Sequence, residues 1–392
     1  GYISKATKFT CLLNIGHRCF WRYRKEASEY RDELHKNADY FHALEIAKSI
    51  KESTFKNLDK YDFSDCKNLF VLANCTKYTM SYLEANSIFT EICSVYENTN
   101  NAEILGIYLE SETEIVNNLI WMLDVKVAKQ KLDKLSKKFD KLYSSNLIIG
   151  HNMIYALLNY YNRIMFVKYM LDEGNEKDYQ KAINVSKEFN KPEYVAFAKM
   201  DYAKSIYDKD IKFATSLMKD ALTLLGDCNE KRRYLDALSE VRFLDDLRNG
   251  TFSYNDYLEI KNEMKSNHYI QSEVKIQLKI IALSLLIGEL SSEEIRNQLS
   301  FIVVNNRAIS AGKRHQAYIY HLYAASYYVE NNILMCQKYS RMSFNLMKNM
   351  GKSYQTVHQN NLKLNNYHGI VLLNDEHKKK FTDKFILDFR LW

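Results

Sequence analysis

A single proline, Pro192, and eleven glycines occur in the 392 residues of this chain. Average usage would give about 27 glycines and about 20 prolines at this length. Hairpin turns and phosphate-binding loops need glycine where the backbone has positive φ, so few such elements can form here. The scarcity of both residue types therefore predicts an all-α protein whose helices are joined by short turns.

The apolar residues between 148 and 172 recur at steps of three and four, which is the spacing of one helix face. Gly174 and its neighbours interrupt this pattern, and a second helix is predicted from about Lys177 to Phe189. Helix pairs of this kind are predicted to start near six positions: Leu147, Pro192, Asn229, His268, Gly312 and Ser353. Their spacing of 37 to 45 residues, with two helices per unit, indicates an α-solenoid of antiparallel helix pairs with a period of about 40.

Small residues recur seven positions apart on two of the predicted second helices. Ala214 and Ala221 form one such pair, and Cys336 and Ser343 form the other. Small side chains at this spacing let two helices approach closely, so we expect both pairs to be buried at helix–helix contacts.

The sequence divides into three segments. Residues 1–100 are predicted to be an irregular N-terminal helical segment, and residues 101–372 contain the helical repeats. Residues 373–392 end in an apolar stretch, which we expect to cap the last repeat or to form a short edge strand. The chain starts at Gly1 without methionine, so we expect it to be part of a longer protein.

The helix pairs resemble tetratricopeptide repeats over roughly residues 100–372, although the units are longer than the usual 34 residues and lack the full signature. Three features are also similar to the C-terminal repeat regions of bacterial STAND-type NTPases, including antiphage sensors: Asn152, the stretch from Tyr202 to Ala221, and the ending Leu387-Asp388-Phe389-Arg390-Leu391-Trp392. That resemblance implies a ligand-sensing solenoid that follows an effector domain and an ATPase, with self-assembly through the missing N-terminal region.

The motifs of common enzyme classes are absent from the sequence. Gly351-Lys352-Ser353 resembles the end of a phosphate-binding loop, but Leu346 stands where its first glycine belongs and a helix precedes it. Neither the histidines nor the seven cysteines have metal-binding spacing. We therefore expect no enzyme activity from this chain alone, no cofactor and no metal.

The charge balance is mildly basic, with a formal net charge of +7. Seven lysines lie on one predicted helix between Lys126 and Lys141, which is more typical of a solvated face than of a nucleic-acid-binding surface. Nucleic acid is therefore an improbable partner, although the lysine helix leaves it open. The longest apolar run is too short to span a bilayer, so no membrane association is expected, and we expect a cytoplasmic location.

Tyrosine, arginine and histidine are concentrated on the predicted first helices, which usually line the concave face of a solenoid. Such side chains combine apolar area with hydrogen bonding and would suit recognition of a protein or peptide. The candidate partner-binding residues are Tyr160, Arg163, Tyr202, Arg232, Arg233, Tyr234, Arg314, His315, Tyr318 and His321.

Three hypotheses about function follow from these patterns. The first is a protein- or peptide-recognition module that serves as the sensor of a larger bacterial defence or signalling protein. The second is a cytosolic peptide-pheromone receptor with similar repeats. The third is a helical enzyme whose catalytic groups come from distant helices.

Overall fold

The computed structural model describes residues 17–53, 63–79, 82–207, 209–228, 230–249, 251–305 and 312–352. Sixteen helices and no strand occur in these ranges, as the all-α prediction requires. The helices are α1 His17–Lys36, α2 Tyr40–Ser53, α3 Phe63–Thr79, α4 Tyr82–Tyr96, α5 Ala102–Trp121, α6 Val125–Ser144, α7 His151–Met170, α8 Glu176–Glu188, α9 Pro192–Ile206, α10 Ile211–Gly226, α11 Lys231–Asn249, α12 Tyr254–Ser266, α13 Ile270–Ile287, α14 Ser292–Asn305, α15 Lys313–Val329 and α16 Ile333–Met347.

The helices form eight consecutive pairs, in which the odd-numbered helix is the first and the even-numbered helix is the second. Five of the six predicted starts agree with the structure to within four residues: α7, α9, α11, α13 and α15. The sixth, near Ser353, lies outside the described residues, as does the predicted C-terminal cap. The N-terminal helices α1 to α4 also pair, which the sequence pattern did not reveal.

Local side-chain chemistry fixes several helix starts. Asn101 accepts hydrogen bonds from the backbone amides of the first turn of α5, and Asn175 forms a reciprocal capping box with Asp178 at the start of α8. Pro192 occupies the first turn of α9, where its missing amide hydrogen costs nothing. These caps satisfy amides that a helix cannot satisfy itself.

The turns between helices adopt the left-handed conformation largely without glycine. Seven residues of other types have φ between 51° and 60°: Ala38, Leu123, Asn146, Asp172, Asn190, His268 and Asn331. Asparagine and aspartate tolerate this region through local hydrogen bonds, whereas alanine and leucine are strained there. A chain so poor in glycine thus closes its turns mainly with other residues.

Neighbouring pairs pack in a repeated way. In most units the first helix contacts the first helix of the next pair, and the second helix also contacts that next first helix. The four small residues predicted to lie at close contacts, Ala214, Ala221, Cys336 and Ser343, are all fully buried. Ser343 additionally donates a hydrogen bond to the carbonyl oxygen of Ala317 on α15 at 2.8 Å.

The array turns tightly enough to contact itself after five helix pairs. Helix α3 meets α13, and α5 meets α15. At the first contact, the side-chain amide of Gln271 donates to the carbonyl oxygen of Lys77 at 3.3 Å and to the hydroxyl of Tyr82 at 2.5 Å. At the second, the rings of Trp121 and His315 stack with centroids 5.0 Å apart. We call these two contacts the closure contacts.

One large hydrophobic core runs through most of the array, from Cys66 on α3 to Met350 after α16. It passes continuously across residue 100, so helix packing joins the irregular N-terminal segment to the repeats. Among the described residues, Cys66 and Cys336 are buried free thiols within this core, and the buried free thiol of Cys75 lies in a smaller neighbouring cluster.

The same substitution should have opposite effects at a turn and inside a helix. Ala38→Gly relieves the left-handed strain and should leave the free energy of unfolding unchanged or raise it by up to about 1 kcal/mol. Ala27→Gly, at a fully buried position within α1, should lower it by about 1–2 kcal/mol through lost helix propensity and lost packing. Urea denaturation compares the two. Equal destabilisation by both would contradict the strain argument.

Candidate ligand-binding cavity

The closure contacts border a cavity of about 130 Å³ on the inner side of the array, and this cavity is partly open to solvent. Seven first helices contribute to its lining: α3, α5, α7, α9, α11, α13 and α15. Tyr82, at the start of α4, is the one lining residue from a second helix. First helices therefore supply all but one of the residues that line this cavity.

The lining is rich in charge and has a surplus of cations. Seven basic side chains face three acidic ones. The basic residues are Lys77, Arg163, Lys204, Arg232, Arg233, Lys275 and Arg314, and the acidic residues are Asp201, Asp236 and Glu240. Burial of so many charges is costly unless partners compensate them, so the pairing of each cation decides what the cavity can bind.

Two buried ion-pair groups neutralise part of this charge. On one side, Lys77 contacts Glu114 with an Nζ–Oε2 distance of 2.6 Å, and both side chains are largely buried. Burial opposes both charges, yet the pairing raises the pKa of Lys77 and lowers the pKa of Glu114. On the opposite side, Glu240 lies 3.4 Å from Lys204 and 3.3 Å from Lys279. These cations hold the pKa of Glu240 well below its usual range despite its burial.

Aromatic rings hold several cations in place. Arg233 lies 4.3 Å from the ring centroid of Phe197, and Arg314 and Lys275 lie 4.6 Å and 4.9 Å from that of Trp121. Tyr82, Trp121 and His315 form a column of nearly parallel rings, with 8° between the planes of each stacked pair. Because cation–π contacts leave the guanidinium and ammonium hydrogens available, Arg233 and Lys275 remain able to bind a ligand.

Tyr78 stands where three cations meet. Lys77 and Arg232 lie 4.5 Å and 5.0 Å from its ring centroid. Burial alone would raise the pKa of its hydroxyl, but Lys77, Arg232 and Arg233 outweigh that effect and lower the pKa to about 8. The shift shows how strongly positive this part of the cavity is.

The structure brings four of the ten predicted binding residues together. Arg163, Arg232, Arg233 and Arg314 all line the cavity, although they come from three helices spread over 152 positions of the sequence. The arginine part of the predicted surface thus converges on one place.

The other six lie in helix packing rather than at the cavity. Tyr160, His315, Tyr318 and His321 are buried, with Tyr160 stacked on Phe139 at 4.7 Å. Tyr202 and Tyr234 are half-buried, and Tyr202 stacks on Tyr179 at 4.2 Å. A solvent-facing role for Tyr318 does not fit its 3% exposure. Alanine at that position would therefore test packing rather than recognition.

Several cavity residues escaped the sequence reasoning. Lys77, Trp121, Lys204 and Lys275 belong to the lining but were not among the predicted residues. Lys275 carried a usable signal, since it lies on the strongly apolar helix α13, where a lysine is unexpected. Lys77 and Trp121 gave none, because their role depends on closure of the array rather than on local pattern.

The lysine helix α6 is partly neutralised by neighbouring side chains. Lys131 pairs with Glu112, and Lys129 lies 3.2 Å from Asp133. Lys138 donates to the hydroxyl of Tyr108 at 3.2 Å. These contacts favour the interpretation of α6 as a structural outer helix, and weak nucleic-acid binding through it stays a prediction.

The fold and the cavity define an all-α solenoid of helix pairs with a basic, aromatic-lined cavity on its inner side. Within the described ranges no helix is long and apolar enough to cross a membrane, and no cluster of three potential metal ligands is present. No protein-family model matches the chain, and comparison with curated proteins finds no similar protein.

The closure contact at His315 should make stability depend on pH. Burial, reinforced by Lys275 and Arg314, lowers the pKa of His315 to about 3. In the unfolded chain the pKa is about 6.5, so the unfolded state binds more protons between these values and stability falls as pH falls through this window. His315→Phe keeps the ring but cannot be protonated.

Relative to this variant, the wild type should lose on the order of 1 kcal/mol per pH unit between pH 6 and pH 4. Urea denaturation of both proteins at several pH values measures the difference. Parallel stability profiles would show that His315 is not buried in its neutral form.

Proposed function

We propose that this chain is a recognition module that binds a peptide, or a short segment of a partner protein, in the cavity bordered by the closure contacts. The observation that carries the proposal is the convergence of seven first helices on one basic and aromatic space. Residues that are distant in sequence can there address a single ligand, which is the usual advantage of a solenoid.

The size of the cavity favours a short ligand over the surface of a folded partner protein. At about 130 Å³ it has room for one or two side chains or a chain terminus. The cavity size therefore favours, as a second candidate function, a receptor for a short free peptide. This candidate is close to the earlier hypothesis of a cytosolic peptide-pheromone receptor.

The closure contacts offer a way to transmit binding. A ligand that favours either the closed or a more open array shifts the balance between them by its difference in affinity for the two states. Under the proposal, the chain would be a tetratricopeptide-like sensor, and this shift would reach an effector or ATPase in the rest of a STAND-type signalling or defence protein. Cytoplasmic location belongs to the same proposal.

A peptide screen tests this function. Pools of short synthetic peptides are added to the chain, and binding is detected as a rise in melting temperature, because a ligand of the folded state stabilises it by mass action. Binding pools are then resolved into single peptides and measured by calorimetry.

Arg233→Ala should weaken the binding of such a peptide by about 1–3 kcal/mol, the range typical of an anchor residue. The melting temperature without ligand should stay nearly unchanged, because Arg233 is half-buried and contacts mainly Phe197. Arg341→Ala, at an exposed position of α16 away from the cavity, is the matched control and should bind normally. Normal binding by the Arg233 variant would place the ligand outside the cavity.

A further inference from the structure

Three of the seven cavity cations have no carboxylate partner within 4 Å among the residues that the structure describes. They are Arg163 on α7, Arg233 on α11 and Lys275 on α13. By contrast, Lys77, Lys204 and Arg232 each have such a partner. The unpaired cations thus belong to three different helices and face one shared space.

Most acidic residues around the cavity already pair with other cations, and too few remain to balance the charge of these three. Asp236 lies 3.5 Å from Arg232, and Glu240 is shared between Lys204 and Lys279. Asp201 is the remaining acidic residue of the lining. The protein's own carboxylates therefore leave an excess of positive charge in the cavity.

Aromatic rings support two of these three cations. Phe197 supports the guanidinium of Arg233, and Trp121 supports the ammonium of Lys275. Burial lowers the pKa of Lys275 to about 8, despite the opposing field of Asp236. A lysine whose pKa is lowered in this way lacks a sufficient counter-charge, and an anionic ligand would supply that charge.

We propose that the cavity binds a phosphate group, held between Arg163, Arg233 and Lys275. A compact group with two negative charges matches three cations better than a single carboxylate, which would leave two of them uncompensated. Arginine also presents parallel N–H donors that fit phosphate oxygens, and two of the three cations are arginines. This inference rests on the proposed function because it assigns the chemistry of the group recognised in the same cavity.

Inorganic phosphate and pyrophosphate, with acetate at matched ionic strength, are the first probes. Phosphate and pyrophosphate should raise the melting temperature of the wild type in a saturable way at millimolar concentration, and acetate should not. Affinity measured by calorimetry should fall by about tenfold or more in Arg233→Ala and in Lys275→Met. Arg341→Ala should retain the wild-type affinity.

The stability of the variants without ligand separates loss of the site from loss of the fold. Because a desolvated cation without a carboxylate partner destabilises the folded state, Lys275→Met should keep or raise the melting temperature while it weakens phosphate binding by about tenfold or more. Arg233→Lys keeps the charge but loses the paired donors, so its affinity should be intermediate. Equal stabilisation by phosphate in the wild type and in the Lys275 and Arg233 variants would overturn the proposal, as would the absence of any effect of phosphate or pyrophosphate.

Two further probes distinguish the source of the phosphate group. A pentapeptide with a central phosphoserine is compared with its serine counterpart and with adenosine monophosphate. Tighter binding of the phosphopeptide supports both the inference and peptide recognition. Binding of adenosine monophosphate and inorganic phosphate alone supports the phosphate site but overturns peptide recognition. Equal binding of the two peptides, with no binding of inorganic phosphate, supports peptide recognition but overturns the phosphate site.

Discussion

The return of the helix array onto itself after five pairs is the constraint on which the other features depend. An open solenoid of this length would present a broad inner surface to solvent. Here α13 and α15 contact α3 and α5, and the inner surface becomes a narrow cavity. The contacts combine buried hydrogen bonds from Gln271 with the stacking of Trp121 on His315. Each side chain that faces inward is consequently surrounded by others from several helices.

Crowding of inward side chains explains the electrostatic pattern. Where a carboxylate is near, as at Lys77 with Glu114 or at Glu240 with its two lysines, the charges compensate each other and fix the spacing of adjacent first helices. Arg233 and Lys275 have no carboxylate within 4 Å among the described residues, and the rings of Phe197 and Trp121 support them instead. An apolar replacement of comparable volume would often be at least as stable as a buried charge, so a recognition role is a physical reason to retain unpaired ones.

The sequence predicted the helices and their pairing well, because apolar periodicity and breaker residues act locally. Arg163, Arg232, Arg233 and Arg314 were among the residues that it proposed, and all four line the cavity. It could not separate these from Tyr318 or His321, which lie on the same class of helix but face its packed side. Nor could it predict that Trp121 meets His315. The curvature of the array is the sum of small rotations between successive pairs, and no local pattern encodes that sum.

The contact between Gln271 and Lys77 joins residues 194 positions apart, so it is among the last that a growing helix array can make. The same contact would be among the first to separate when the folded chain fluctuates, because it depends on the accumulated position of five pairs. A partly folded array that lacks this contact would also lack a complete cavity, because α13 and α15 supply part of its lining. Recognition in this cavity would therefore require the whole array to have assembled, so the ability to bind would be a property of the complete fold rather than of any one helix pair.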